Sequence, residues 1–152
     1  WKLNIFEVEE HLKELRQRFP ESACEIDGDA MPGPEFSYDP AYFHRSAAVL
    51  EGEGLAMVEY PQHDSRMIPA SQGLYQLVAE GRLAHDGDAT LKRHVENASA
   101  DQKPRGWRLS KPKGSRKKID AAIALAIAAH RAETAASEVG PSIYESEGLL
   151  VI

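Results

Sequence analysis

The chain has 152 residues, 18 Lys+Arg against 24 Asp+Glu, and 42% hydrophobic residues, enough for one domain with a core and too apolar for wholesale disorder. No run approaches the ~18 apolar residues that cross a bilayer, and the N-terminus lacks the basic-then-apolar layout of a signal peptide. Cys24 stands alone, which excludes an intrachain disulfide framework and a multi-cysteine zinc site and leaves a soluble intracellular protein as the expected class.

Residues 7–19 are predicted to be helical, because Val8, Leu12, Leu15 and Phe19 recur on one face of a 3.6-residue repeat, and Pro20 stops them. Residues 21–34, rich in Gly, Pro and Asp, read as a loop. Residues 35–38 (EFSY) read as a strand ended by Asp39-Pro40, 41–52 as a helix, and 55–60 (LAMVEY) as a strand closed by Pro61. A helix over 70–80 uses Leu74, Leu77 and Val78, with Gly81 as its C-terminal cap. Leu83–His85 reads as a brief strand, Asp86-Gly87 as a turn, and 89–98 as a helix with Leu91 and Val95 inward. Residues 99–112 read as a hairpin or extended pair around Pro104-Arg105-Gly106. A long Ala-rich helix follows over 116–136, with Ser115 available as its N-cap. The tail from 137 to 152 ends in an apolar run, Leu149–Ile152, read as a strand.

Alternation of helices and strands predicts an α/β fold, a sheet flanked by helices. Three or four short strands are one or two fewer than a three-layer domain needs. Together with a first residue that is Trp rather than Met, this suggests a piece of a longer polypeptide.

The charge is uneven. Residues 103–118 hold Lys103, Arg105, Arg108, Lys111, Lys113, Arg116, Lys117 and Lys118 and no acid, so the remainder carries 10 basic and 24 acidic residues. A local strip of this kind can grip a phosphate backbone even on an acidic protein, because the local field rather than the net charge guides a polyanion. The bland reading is a solvated loop. Trp107, inside the strip, supplies a stacking or packing anchor.

Two carboxylates stand out. Asp39 follows a strand, where ligands of open α/β sheets sit, yet Asp-Pro is also a common helix N-cap with Pro at N1; the two readings are compatible. Asp120 is the one acid between Asp101 and Glu133, on a helix whose buried stripe is expected to be Ile119, Ile123 and Ile127. A carboxylate buried there would need a partner or a metal, whereas an acid in the first helical turn would merely suit the macrodipole. With Ser115 as the cap, Asp120 lies beyond that turn. Two such acids form a typical site for Mg²⁺ or Mn²⁺, with water and a phosphate oxygen completing the shell. The basic strip beside them makes the combination that of a metal-dependent nuclease. His85-Asp86-Gly87-Asp88, His63-Asp64 and the His94/Asn97 pair are weaker candidates, better explained as turn, loop and ordinary helix residues. Lys113-Gly114-Ser115 is no P-loop, because the upstream glycine and strand are missing.

The run LYQLVAEGRLAHDGDATLKRHVENA (74–98), the basic connector and SRKKIDAAIALAIAAHRA (115–132) resemble the C-terminal nuclease domain of tailed-phage terminase large subunits, in the form found in phages of actinobacteria. VEEHLKELRQRF, FSYDPAYF, LEGEGLAMVEYPQ and the closing SIYESEGLLVI are similar to the same domain, so the resemblance covers essentially the whole chain.

The resemblance implies a ribonuclease H-like fold that cuts concatemeric viral DNA during genome packaging with two divalent ions, Mg²⁺ or Mn²⁺. Asp39 matches the family's acid at the end of its fourth strand, and Asp120 the acid on its final helix. Arg105, Arg108, Lys111, Lys113, Arg116, Lys117 and Lys118 would contact double-stranded DNA. The family's first-strand acid has no counterpart here, and Asp27 and Asp29 lie on the wrong side of the first helix. The first strands and the ATPase domain with its Walker motifs are expected to lie outside this sequence, so cleavage by the chain alone is expected to be weak or absent. Further implied partners are that ATPase domain, the small terminase subunit and the portal, with no membrane. The implied location is the host cytoplasm, at the procapsid. The alternative is a non-catalytic DNA-binding or capsid- and portal-docking module.

Overall fold

A computed structural model describes residues 4–20, 23–26 and 29–138. The first helix, α1 (Ile5–Arg18), starts where Asn4 accepts a hydrogen bond from the Phe6 amide and donates one to Glu7. Leu12 packs onto the core, while Val8 and Leu15 are half-buried and Phe19 is exposed over nearly half its surface. The helix is fastened by Arg16, whose Nη1 donates to the Glu53 carbonyl at 3.1 Å. The Arg16 side chain runs past Gly33 (φ +101°) and Gly54 (φ +82°), where an added Cβ would come within 3.2 and 3.3 Å of it. Both backbone conformations also favour glycine on their own account.

Residues 21–34 are not the irregular loop expected from their composition. Strands β1 (Ala23–Ile26) and β2 (Asp29–Pro32) pair antiparallel, Ala23 opposite Pro32 and Ile26 opposite Asp29. The signal was the intervening Asp27-Gly28, a dipeptide favoured in two-residue hairpin connections.

Strands β3 (Glu35–Tyr38) and β4 (Ala56–Glu59) pair in parallel, with Glu35 opposite Ala56 and Tyr38 opposite Glu59. Parallel pairing needs a crossover, which α2 (Pro40–Gly52) provides. Its Ala47 and Leu50 are completely buried with Leu55 and Met57, and Leu12, Phe36 and Phe43 close the cluster. This β–α–β unit is the expected sheet flanked by helices, here a two-stranded one among the described residues.

Helix α3 (Asp64–Ala79) begins six residues before the expected start. Pro69 lies inside it, although proline removes a helical donor and disfavours helix in the residue before it. Burial of Met67 and Ile68 on the turn before it offsets that loss; a fully buried Met is worth about 1.5–3 kcal/mol. The far end is capped as expected. The Arg82 amide bonds the Leu77 carbonyl at 2.8 Å and the Gly81 amide the Val78 carbonyl at 3.2 Å, with Gly81 at φ +67°. Leu83 then drops into the core beside Leu74 and Leu77. Leu83–His85 therefore forms no strand: the chain leaves a helix cap, and none of the described strands pairs with it.

Helix α4 (Ala89–Glu96) is capped by Asp88, whose carboxylate accepts from the Leu91 amide at 2.6 Å. The expected hairpin is present as β5 (Ser99–Lys103) and β6 (Gly106–Ser110). It lies on α3 through the buried Ser71 hydroxyl, which donates to the Met67 carbonyl and accepts from the Leu109 amide at 2.9 Å. Trp107 is the packing anchor, set edge-on to Tyr75 with ring centroids 6.0 Å apart.

The last helix, α5 (Asp120–Glu138), starts four residues later than expected. Ser115 does not cap it; its hydroxyl accepts from the Lys117 amide, closing a local turn. Three consecutive cations, Arg116–Lys118, would also oppose the positive end of a helix starting there. The buried stripe differs too. Ala126 and Ala129 pack with Ala70, Leu74 and Leu77, and Ala122 is buried as well, whereas Ile123 and Ile127 are half-buried at the edge and, of the three Ile residues, Ile119 alone is enclosed. The expected strand Leu149–Ile152, with the tail beyond Glu138, lies outside the described residues.

Candidate active site

Parallel strands end at the same side, so β3 and β4 deliver their following residues to one place. Tyr60 extends the ladder by one bond, its amide to the Tyr38 carbonyl at 2.8 Å. Asp39 then follows β3, and Pro61-Gln62 follow β4. Asp39 is the N-cap of α2 and a site candidate at once: Oδ1 accepts from the Ala41 amide at 3.0 Å, and Oδ2 accepts from Gln62 Nε2 at 3.1 Å.

Asp120 reaches the same groove from the first turn of α5. It is exposed, which corrects the expectation of a buried carboxylate beyond the first turn. Its placement depends on α4. The Ala121 amide donates to His94 Nδ1 at 3.0 Å, and Asn97 Nδ2 donates to the Lys118 carbonyl at 3.0 Å. Because Ile119 has no polar side chain to offer the helix start, His94 supplies the capping acceptor from outside. The His94/Asn97 pair is thus structural, as its bland reading held.

Asp39 and Asp120 line one open groove of about 1110 Å³ between α1, β3 and α5, walled by Val8, Leu12, Phe36, Tyr38, Ile123 and Ile127. Neither carboxylate has an ion-pair partner among the described residues. The third acid in the groove, Glu35, is held by Arg131 through two hydrogen bonds. Burial would raise the Glu35 carboxyl, but the bonds from Arg131 and Ser37 outweigh it and keep it below the ordinary carboxylate value.

Two unpaired carboxylates on one groove fit a hard divalent cation as two of its oxygen ligands. Among the described residues no cluster of three or more His, Cys, Asp or Glu gathers. Water, a phosphate oxygen or residues outside the described ones would have to complete a shell. His85, Asp86 and Asp88 form a turn that bonds mainly to itself.

Of the basic residues, Arg105, Lys111, Lys113, Arg116, Lys117 and Lys118 are exposed and carry no ion pair among the described residues. Arg108 is engaged. Its Nη1 donates to the Gln62 carbonyl and to Asp64, both at 3.0 Å, and its side chain is only 19% exposed. Lys103 pairs with Asp101. Sequence reasoning missed Gln62 and the Glu35–Arg131 pair. The strand-end rule that marked Asp39 also points to Gln62; nothing in the sequence couples residue 35 to residue 131.

A parallel strand pair joined by a helix, with carboxylates beyond the strand end and on a helix beside it, defines an α/β domain with an acidic groove. The model of one family, "Terminase large subunit, endonuclease domain", matches residues 30–138. The chain belongs to this terminase endonuclease family. The solved large terminase of bacteriophage HK97 is similar in fold, with a TM-score of 0.64 at 19% identity over 84% of this chain. The chain spans 25% of the length of that protein. The expected ribonuclease H-like α/β class agrees with this likeness. Comparison with curated proteins gives no significant match.

Proposed function

We propose that the chain is a divalent-metal-dependent endonuclease domain that cuts concatemeric viral DNA during packaging. The observation that carries this reading is that Asp39 and Asp120, remote in sequence, line one groove with no ion pair to neutralise them among the described residues. Asp39 offers a carboxylate held in place by two donors, and Asp120 offers one that reaches the groove from a helix start. A Mg²⁺ or Mn²⁺ ion bound there would activate water and stabilise the leaving 3′ oxygen. The exposed cations of residues 105–118 would hold the DNA backbone. In a full packaging system the partners would be the ATPase domain, the small terminase subunit and the portal, at the procapsid in the host cytoplasm.

The test is Mn²⁺ binding, followed by electron paramagnetic resonance, together with plasmid nicking in Mn²⁺ and in EDTA. Asp39→Asn and Asp120→Asn should each weaken binding and abolish any nicking. Binding indifferent to both substitutions, or nicking that persists in EDTA, would remove the assignment. A second reading, a DNA-gripping or capsid- and portal-docking module without catalysis, is favoured because no three acids gather as a metal cluster among the described residues, Glu35 being taken up by Arg131. It requires metal-independent DNA binding and no cleavage.

A further inference from the structure

We propose that Gln62 is a positioning residue for Asp39, and that Arg108 of the β5–β6 hairpin holds Gln62 in that role. The inference rests on the reading of Asp39 as a metal ligand. Asp39 receives its two hydrogen bonds on different oxygens and from different elements, Ala41 on Oδ1 and Gln62 on Oδ2. One bond would leave the carboxylate plane free to swing about its last torsion, which has broad preferences; two on opposite oxygens fix it. Each oxygen still keeps a lone pair for a cation.

The sense of the contact is set by chemistry. A carboxylate only accepts, so the Gln62 amide must present its NH₂. Gln62 is an exposed residue after a strand, and such a side chain holds one orientation only if its backbone is fixed. Arg108 fixes it. One guanidinium nitrogen takes both the Gln62 carbonyl and the Asp64 carboxylate, clamping residues 62–64 onto β6. An Arg–Asp pair whose carboxylate is half exposed contributes little by itself. The bond to the Gln62 carbonyl is not required by such a pair, and it is the link between hairpin and ligand. Arg108 therefore differs from Arg105, Lys111, Lys113 and Arg116–Lys118: its charge is engaged within the protein.

The test measures Mn²⁺ affinity of the 152-residue chain by electron paramagnetic resonance, with melting temperature followed in parallel. Gln62→Leu keeps the bulk and removes the donor. It should weaken Mn²⁺ binding by about 10–100-fold, the usual effect of removing a group that orients a ligand, and leave the melting temperature in place. Arg108→Met should weaken binding in the same direction. Combined with Gln62→Leu it should add no further loss, because both act through one path. Unchanged affinity in Gln62→Leu overturns the role of Gln62, and fully additive losses overturn the route through Arg108. Wild-type affinity that does not depend on Asp39 sinks the metal-site reading itself, an outcome distinct from affinity that needs Asp39 but ignores Gln62.

Discussion

Arg131 grips Glu35 with two guanidinium nitrogens, Nε to one carboxylate oxygen at 2.8 Å and Nη2 to the other at 2.6 Å. The pair is mostly enclosed, with 20% and 14% of the side chains exposed, and it ties β3 to α5 across the floor of the groove. Two parallel charge-assisted bonds give this contact geometric specificity as well as strength.

Replacing Glu35 by Gln should therefore cost about 1.5–3 kcal/mol in urea unfolding at pH 7, the usual worth of hydrogen bonds to charged groups. The sign with pH follows from the lowered carboxyl. Its contribution is complete above the ordinary value of 4.5 and is lost as pH falls through the folded value. The difference between wild type and Glu35→Gln should shrink below pH 4.5. A constant difference down to pH 2 would show that charge is not its source.

His130 gives the opposite chemistry and the same direction. Burial pushes its imidazolium down from 6.5, and Arg66 and Arg131 push it further, against a smaller opposing effect of Glu133. The ring Nδ1 lies 3.0 Å from the Tyr60 hydroxyl, which donates to the Arg66 carbonyl at 3.3 Å. Both contacts are satisfied when Nδ1–H donates to Tyr60. The unfolded chain takes up a proton first as pH falls below 6.5, so stability is full above that value and declines down to the folded one. His130→Gln should flatten the stability–pH curve between pH 7 and 5; an equally steep curve in the variant would transfer the effect to another group.

Gly106 sits at φ +142° with its missing Cβ directed at α3. An added methyl would lie 2.7 Å from Gln72 Nε2 and 3.0 Å from Ile68 Cγ2. Gly106→Ala should destabilise by about 1–3 kcal/mol, the usual cost of overpacking, and loosen the hairpin from α3. Gly114, at φ +77° with open space around it, isolates the backbone cost of a left-handed residue, about 1–2 kcal/mol. Thermal melts of the two Ala variants, with amide exchange at Leu109, compare the cases. Equal exchange at Leu109 in both would rule out the packing effect.

DNA binding can be resolved by salt. Neutralising Arg116, Lys117 and Lys118 together should reduce the slope of log affinity against log salt by roughly 0.9 for each phosphate that no longer meets a cation. An unaltered slope would identify the strip as merely solvated.

The elements with a strong periodic or punctuated signal were legible from the sequence. Tyr38-Asp39-Pro40 marks a strand end and a helix start in three residues, and the structure realises both. The Gly81 cap and the hairpin at Pro104–Gly106 were equally plain. Errors fell where tertiary contacts override local preference. Pro69 is tolerated because Met67 and Ile68 are buried beside it. The Ile residues of α5 look like a core stripe, yet the close crossing of α3 and α5 selects Ala126 and Ala129, leaving the larger Ile123 and Ile127 to wall the groove. For the candidate site, residue types singled out Asp39 and Asp120, and both line one groove. They could not reveal that Asp120 is exposed, or that its helix begins where a histidine of another helix caps it.

That capping joint gives the two acids unequal footing. One is seated at the end of a strand that packs on the fully buried Ala47 and Leu50. The other rides on a junction made by two side chains, His94 and Asn97, projecting from an eight-residue helix with no buried residue of its own. Warming should release the second acid while the first remains in place, so the groove would lose its acidic pair at a temperature where the domain is still folded.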